Sequence, residues 1–446
     1  MDAKDGIAQP HRTWAHVAVA IGIAMAVLDG AIANVALPTM TTEFGAHPSE
    51  AIWIISAYQL AVTVSLLPLA ALGDILGYKR VFCAGLVLFT LASIACSTAT
   101  TLPGLAAARA VQGLGAAGIM SVNNALIRFI YPHRLLGRGV SYNALVVAVS
   151  SVAGPTVAAS ILSWASWPWL FWVNVPVGVL ALAVGIKVLP PTPQSSHPFD
   201  PVSAVLNALT LGLLLLGADA LTESWHLAAA EFGAAVMIGF VFVRRQRVLT
   251  VPMLPLDLLK IPVFSLSMMT SICSFAAQTA AYVALPFYFQ TVLGHSQGST
   301  GALMTAWPLM VAVIAPISGH LSDRHSAGLL GGLGLALLAA GLAALALLPA
   351  APMTLDIVWR LALCGLGFGL FQSPNNRAIF ASAPRERSGA ANGLQATARL
   401  VGQTGGAALV AVTFGLAHDH ATTVALAVAA GLAVVASIVS SLRRFS

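Results

Sequence analysis

Apolar residues run along this chain in blocks of about twenty, each closed by a short polar connection. The blocks cover 14–38, 51–73, 81–100, 103–128, 139–164, 168–189, 201–221, 225–244, 262–289, 299–320, 327–349, 354–378, 388–416 and 420–442. A helix of that length crosses the roughly 30 Å hydrocarbon core of a bilayer. The pattern predicts an all-α polytopic membrane protein with fourteen spans.

Charge supplies an independent check. Of 21 Lys and Arg, all but Arg109, Arg360 and Arg399 lie in or beside every second connection, from Lys4, Arg12, Lys79, Arg80 and Arg128 through Arg134, Arg138 and Lys187 to Arg443 and Arg444. The alternate connections carry Glu43, Glu50, Glu223, Asp356 and Asp419 but no basic residue. Cytoplasmic loops retain Lys and Arg, so both termini are predicted cytoplasmic. A missed span would scramble the alternation, which makes the count even.

The two halves echo each other. AALGDILGYKR at 70–80 follows the second block, and GHLSDRHSAGL at 319–329 follows the tenth. Arg109 sits early in the fourth block and Arg360 early in the twelfth. This divides the chain into an N-terminal six-helix bundle (1–189), an inserted helix pair with its linkers (190–261) and a C-terminal six-helix bundle (262–446). Parallel repeats suit a transporter with its site between the halves, near the midplane.

Composition narrows the field further. The chain is 58% hydrophobic and only 8% charged, with a mean hydropathy of +0.88, which excludes a soluble globular domain. The pI of about 9.4 comes from clusters that orient helices, so no nucleic-acid partner is expected. Cys83, Cys96, Cys273 and Cys364 lie singly within apolar blocks, as packing residues do. No Walker-A loop, HExxH or nucleophile elbow is present, so neither enzyme chemistry, metal nor cofactor is expected. The first block is too long for a signal-peptide core and is expected to be retained.

Several motifs occur together. The first block reads Leu28-Asp29-Gly30-Ala31-Ile32-Ala33-Asn34-Val35-Ala36-Leu37-Pro38, and the second spaces Trp53, Tyr58 and Leu60 as WxxxxYxL. Gly73-Asp74, Gly77 and Lys79-Arg80 form a loop motif, and Arg109, Gln112, Gly113 and Gly115 mark the fourth block. Ser150, Gly154 and Pro155 stand in the fifth; Trp167, Trp169, Phe171, Asn174, Pro176 and Gly178 open the sixth. On these residues the chain resembles the fourteen-span drug:proton antiporter family of the major facilitator superfamily, over essentially its whole length. It departs from that family's pattern at Ala31, Ile75 and Pro168, where threonine, arginine and arginine are usual. The resemblance implies a major facilitator fold and an exporter rather than an importer.

Asp29 is the central residue of this reading. A carboxylate near mid-membrane costs about 2.5–3.5 kcal/mol on insertion scales, so it is functional by default. It is expected to exchange a proton as water reaches it from alternating sides; the bland alternative is a permanent ion pair with Arg109. Arg109, Gln112, Ala116, Met120 and Asn123 share one face of their helix at 100° per residue and are expected to line a cavity. Asn34 lies about 140° around the helix from Asp29 and reads as an interhelical hydrogen-bonding residue first and a ligand second. Asp74 with Gly73, Gly77, Lys79 and Arg80 reads as a conformational latch or a tight anchored turn, with Asp323 and Arg324 as a weaker counterpart. Gly154-Pro155 is expected to kink its helix and admit a close neighbour.

Tyr58, Tyr142, Trp307 and Phe371 are candidates for holding a lipophilic cation by ring faces. Trp14, Trp53, Trp164, Trp167, Trp169 and Trp225 read as interfacial belt residues. The last six blocks hold no central carboxylate: Asp257, Asp323 and Glu386 fall in connections, and Glu231 and Asp219 belong to the inserted pair. Histidines 320, 325, 418 and 420 read as loop residues.

The leading expectation is a proton-driven exporter of lipophilic, mainly monovalent cations. It would work as a monomer in a bacterial inner membrane, with small molecules, protons and the lipid bilayer as partners. The alternatives are a dedicated exporter of a neutral or anionic metabolite, antibiotic or sugar, and a non-transporting receptor or scaffold, for which the short loops leave little surface.

Overall fold

The computed structural model describes residues 6–132, 135–192, 194, 198–220, 224–249, 252, 254, 256–322, 325–349, 351–383, 388–417 and 420–443. Lys4, Arg134, Glu223, Asp323, Arg324, Arg385, Glu386, Arg387, His418, Asp419 and Arg444 lie outside the described residues, as do the side chains of Arg138 and Asp219.

The first half holds α1 (His11–Phe44), α2 (Pro48–Ala51), α3 (Trp53–Leu76), α4 (Tyr78–Ser97), α5 (Leu102–Ile130), α6 (Leu136–Leu162), α7 (Trp169–Trp172) and α8 (Asn174–Val188). Then come α9 (Pro201–Ala220) and α10 (Trp225–Val248). The second half holds α11 (Pro262–Phe287), α12 (Gln297–Met304), α13 (Ala306–Leu321), α14 (Ala327–Ala346), α15 (Thr354–Ser382), α16 (Ser388–Leu416) and α17 (Ala421–Leu442). No strand occurs among the described residues. Every apolar block is helical, with α2–α3, α7–α8 and α12–α13 each filling one block. By length and hydropathy alone eleven helices can cross a membrane, or twelve counting bent α6. Of the remaining two, α9 is apolar only over a shorter stretch, Pro201–Gly217, and α16 is diluted by Gln395, Arg399, Gln403 and Thr404.

Helix ends follow local chemistry. Thr101 caps α5 by accepting from the Gly104 amide, and His47 with Glu50 forms a capping box on α2. Gly77 turns the chain at φ +94°, a conformation that favours glycine. α6 bends by 43° between Ser151 and Ala153. Pro155 explains the position: it lacks the amide that would bond the Ser151 carbonyl.

α4 packs against α5 and α8, α5 against α3, and α1 against α6 and α8; in the second half α14 packs on α15 and α17, and α11 on α16 and α17. We call the end of the molecule where α1 begins the near face and the opposite end the far face. Between the halves, Gln290 Nε2 donates to the Val35 carbonyl at 3.0 Å, Gln297 donates to Thr39, and Thr156 and Thr305 share a hydrogen bond of 2.7 Å, all toward the far face. At mid-depth Thr63 and Thr404 are hydrogen-bonded at 3.2 Å. On that side the apolar core also runs through both halves, with Leu37 and Phe171 in one cluster with Phe287 and Leu303, so the far face is the closed one.

The inserted pair is fixed to itself and to the first half. Arg245 clamps Asp200 with Nη2–Oδ1 at 3.0 Å and Nε–Oδ2 at 3.2 Å, while Asn207 donates to the Val64 carbonyl at 2.9 Å. α9 touches both α3 and α16, so it lies along the seam of the halves.

A buried ion pair in the first bundle

α1, α3, α4, α5 and α8 converge on one polar cluster. Asp29, 2% exposed, receives three donors: Arg109 Nη1 on Oδ2, and Gln112 Nε2 and Asn174 Nδ2, each at 2.9 Å, on Oδ1. Arg109 is wholly buried and held twice more. Its Nε donates to the Ile54 carbonyl at 3.1 Å and its Nη1 to Gln112 Oε1 at 2.6 Å. The guanidinium lies 4.2 Å from the Tyr58 ring centroid and 5.6 Å from that of Phe171. Gln112 also donates to Ser93 Oγ at 2.9 Å and accepts from Cys96 Sγ at 3.6 Å. Tyr58 closes the cluster by donating to the Ala26 carbonyl at 2.9 Å.

The packing that permits this is glycine-made. A Cβ on Gly113 would lie 2.5 Å from the Tyr58 carbonyl oxygen, and one on Gly115 2.4 Å from the Phe89 amide nitrogen. α5 therefore sits hard against α3 and α4, and Arg109 has no path outward. Chemically, the cluster is a carboxylate receiving three donors, two on Oδ1 and one on Oδ2, and a guanidinium that never loses its proton. Adding a proton to Asp29 removes the charge that Arg109 neutralises. Arg109 would stay seated on Ile54, Gln112 and two rings, so the bond that yields is the one to α1.

The other expected residues are distributed differently. Asn123 is buried on the Arg109 face of α5 with Oδ1 unpartnered. Tyr142 is exposed and stacks edge-on with His16 at 6.0 Å. Trp307 and Phe371 are buried in the second half, Trp307 against Tyr282 at 5.1 Å and Phe371 against Phe368 at 5.8 Å. Tyr58 belongs to the Arg109 cluster, so the four aromatic residues do not meet in one pocket in this conformation. Asn34 donates to Gly30 of its own helix at 3.4 Å and does not bond another helix; its Oδ1 is buried without a partner. Trp167 is buried and donates to Glu43 at 2.7 Å, so it is an anchor rather than a belt residue.

At the near face Asp74 accepts from the Tyr78 hydroxyl. Lys79 Nζ caps α8 by donating to the Ile186 and Leu189 carbonyls at 2.7 and 2.8 Å, a favourable place for a cation at a helix C-terminus. A Cβ on Gly73 would meet Val122 at 2.7 Å, and Arg80 is exposed. Gly154 abuts Ala31 of α1, where a Cβ would lie 2.6 Å from the alanine's own. The Pro155 carbonyl reaches across to Gly301 of α12, 2.7 Å from where a Cβ would stand.

Asn174 is the ligand of Asp29 that physical reading of the sequence passed over, although it stands in the quoted sixth-block motif. A lone asparagine in the first turn of an apolar helix is the signal that marks it.

A model of the Major Facilitator Superfamily matches residues 19–407. The uncharacterized transporter YebQ of Escherichia coli is 55% identical, the match covering 98% of this chain and 97% of that one. The riboflavin transporter RibZ of Clostridioides difficile is 32% identical over 86% and 84% of the two chains. The multidrug resistance protein Stp of Mycobacterium tuberculosis is 28% identical over 88% and 74%. The crystal structure of the peptide transporter POT in complex with sulfate superposes with a TM-score of 0.72 at 16% identity, covering 97% and 94%. These relatives are transporters, not enzymes. The protein belongs to the Major Facilitator Superfamily of membrane transporters.

Proposed function

We propose that the protein is a proton-coupled antiporter that exports small lipophilic compounds from a bacterial cytoplasm by alternating access, as a monomer of fourteen spans. The near face, which carries Arg12, Lys79, Arg80, Arg128 and Lys187, is then cytoplasmic. The observation that carries the reading is the Asp29–Arg109 pair, which ties α1 to α5 and, through Asn174, to α8. Asp29 is closed off from solvent in this conformation, so proton exchange belongs to a conformation in which α1 has moved. Protonation unlatches α1; loss of the proton latches it again. The multidrug resistance relative supports export.

Substrate charge has two readings. The sequence resemblance favours monovalent cations, whose exchange for one proton moves no net charge and is driven by ΔpH alone, about 1.4 kcal/mol per pH unit. A neutral or anionic substrate is favoured by one observation: the Asp29 charge is already buried and paired with Arg109, with two further donors on the same carboxylate. One anion exported per proton taken up would move two charges, about 4.6 kcal/mol per 100 mV.

The test is efflux from vesicles over a panel of cationic, neutral and anionic compounds, comparing wild type with Asp29→Asn. Loss of gradient-driven efflux in the variant, with binding retained, is the expected result; full efflux refutes the proton-carrier role. Collapsing the membrane potential at fixed ΔpH then separates the two charge readings.

A further inference from the structure

The second half has a mid-membrane cation that its own fold leaves unsatisfied. Arg399 of α16 is part-buried, its Nε is shut off from solvent, and it makes no hydrogen bond or ion pair with any described residue. The contrast is Arg443, the buried arginine just beyond α17. Its guanidinium donates to Ser267 Oγ at 2.9 Å, to Asn375 Oδ1 at 2.7 Å and to Ser440. Where an arginine serves the scaffold, this protein supplies oxygen atoms to hold it. A cation near mid-span without such partners points to function.

The neighbours of Arg399 fix where it faces. Leu400 and Ala396 pack into the apolar core of the first half, and Thr404 bonds Thr63 of α3. Gly402 and Gly406 press on the α11 backbone, where Cβ atoms would lie 2.4 Å from the Ile272 and 2.3 Å from the Ala276 carbonyl oxygens. At 100° per residue, Arg399 and Gln403 occupy the arc between those two faces, at the seam of the two halves. Gln403 has no hydrogen bond to another described residue either. On the far side of the Thr63–Thr404 contact, Gln59 of α3 is likewise buried with its Oε1 unpartnered. Unsatisfied buried polar atoms are few in native proteins and call for a partner. Arg399 is also roughly 16 Å from the near end of α16, too deep for a lipid headgroup at its usual level.

We infer that Arg399 is a substrate-binding residue that selects lipophilic compounds carrying an anionic acceptor group, such as a carboxylate or an ionised phenol, against cations of the same shape. The inference rests on the transport reading and decides its substrate charge. A desolvated guanidinium gives such a group a charge-assisted hydrogen bond, roughly ten- to a hundredfold in affinity, and repels an ammonium.

The test is equilibrium binding to purified full-length protein in detergent, with two xanthene dyes of one shape: fluorescein, anionic, and a rhodamine ester, cationic. Wild type is expected to bind fluorescein at least about tenfold more tightly than the rhodamine ester. Arg399→Gln should lose about tenfold or more for fluorescein, Arg399→Lys less, and Arg399→Glu should reverse the preference. Tighter rhodamine than fluorescein binding by wild type, or an unchanged fluorescein affinity in a monodisperse Arg399→Gln, overturns the inference. The wild-type comparison stands even if a variant misfolds. Detergent binding involves no proton gradient, so binding as expected without ΔpH-driven efflux would refute the coupling and leave the charge selection intact.

Discussion

The two halves place the same glycine contacts around opposite chemistry. In the first half α5 meets α3 where a Cβ on Gly113 would strike the Tyr58 carbonyl at 2.5 Å; in the second, α15 meets α13 where one on Gly365 would strike the Trp307 carbonyl at 2.3 Å. Gly115 against Phe89 is matched by Gly367 against Leu338, each 2.4 Å from an amide nitrogen by the same construction. Counting back four residues aligns Arg109 with Leu361, and Gln112 aligns with Cys364. Leu361 and Cys364 are both wholly buried. The sequence parallel between Arg109 and Arg360 is therefore one residue out of register. Arg360 instead bonds Asp356 at 3.1 Å and the Ala344 carbonyl at 2.5 Å, near the end of its helix. Close packing is common to both halves, whereas the fully buried ion pair Asp29–Arg109 belongs to the first, and the places aligned with Arg109 and Gln112 in the second are Leu361 and Cys364. The buried ion pair and the glycine abutment are thus separate parts of one repeated design.

Making the first half resemble the second should have the largest effect. Arg109→Leu leaves the Asp29 carboxylate buried and unpaired, a loss expected at about 3–5 kcal/mol. Adding Asp29→Asn should restore most of that stability while efflux stays absent. Thermal unfolding of the two single variants and the double variant, alongside vesicle transport, separates the roles. A single Arg109→Leu as stable as wild type would mean that the pair does not hold α1.

The shared packing gives a second test, of intermediate size. Gly113→Ala and Gly365→Ala each push a methyl into backbone, so each should cost about 1–3 kcal/mol. Near-equal losses of thermal stability are expected, because the contact distances are alike. A large cost on one side only would show that the register drawn here between the halves is wrong.

Much of this was legible in the chain. The apolar blocks located each helix, since length and hydropathy are one-dimensional properties. Asp29 and Arg109 stood out because charge is conspicuous in an apolar span, and Gln112 followed by helical spacing. The roles of Tyr58, Trp307 and Phe371 were not legible. An aromatic side chain serves a cavity wall and a packed core equally well, and only the third dimension decides. Asn34 donates to its own helix instead of a neighbour, because an asparagine amide can reach the carbonyl four residues back, here that of Gly30, while its Oδ1 stays unpartnered. Arg399 carries no legible role in the sequence, because an unsatisfied group is defined by what its neighbours fail to offer.

Asn174→Ala should have a smaller effect than the glycine changes. It removes one of the three donors on Asp29, a loss near 1 kcal/mol, and should reduce gradient-driven efflux several-fold without abolishing it. Cys364→Ala, at the aligned place of Gln112 in the second half, should leave proton dependence unaltered. An equal response of the two variants would dissolve the contrast between the halves.

The smallest effect is expected outside both bundles, where the inserted pair is clasped at its near end. Partial burial raises the affinity of the Asp200 carboxyl for a proton, but hydrogen bonds from Arg245 and Ser203 outweigh it and hold the group down to about 2. A carboxyl depressed in the folded state stabilises it above the unfolded value near 3.9, and that stabilisation fades as pH falls from about 4 to about 2. Arg245 is 39% exposed, so solvent screening limits the gain to below about 1 kcal/mol. A crosslink engineered between α9 and α10 should therefore form less readily as pH drops through that window in wild type, and show no such dependence in Asp200→Asn. Transport by Asp200→Asn at neutral pH should be nearly unaffected, since the clasp touches neither Asp29 nor Arg399. A transport defect as large as that of Asn174→Ala would instead make the inserted pair, lying on the seam at α3 and α16, a working part of the cycle.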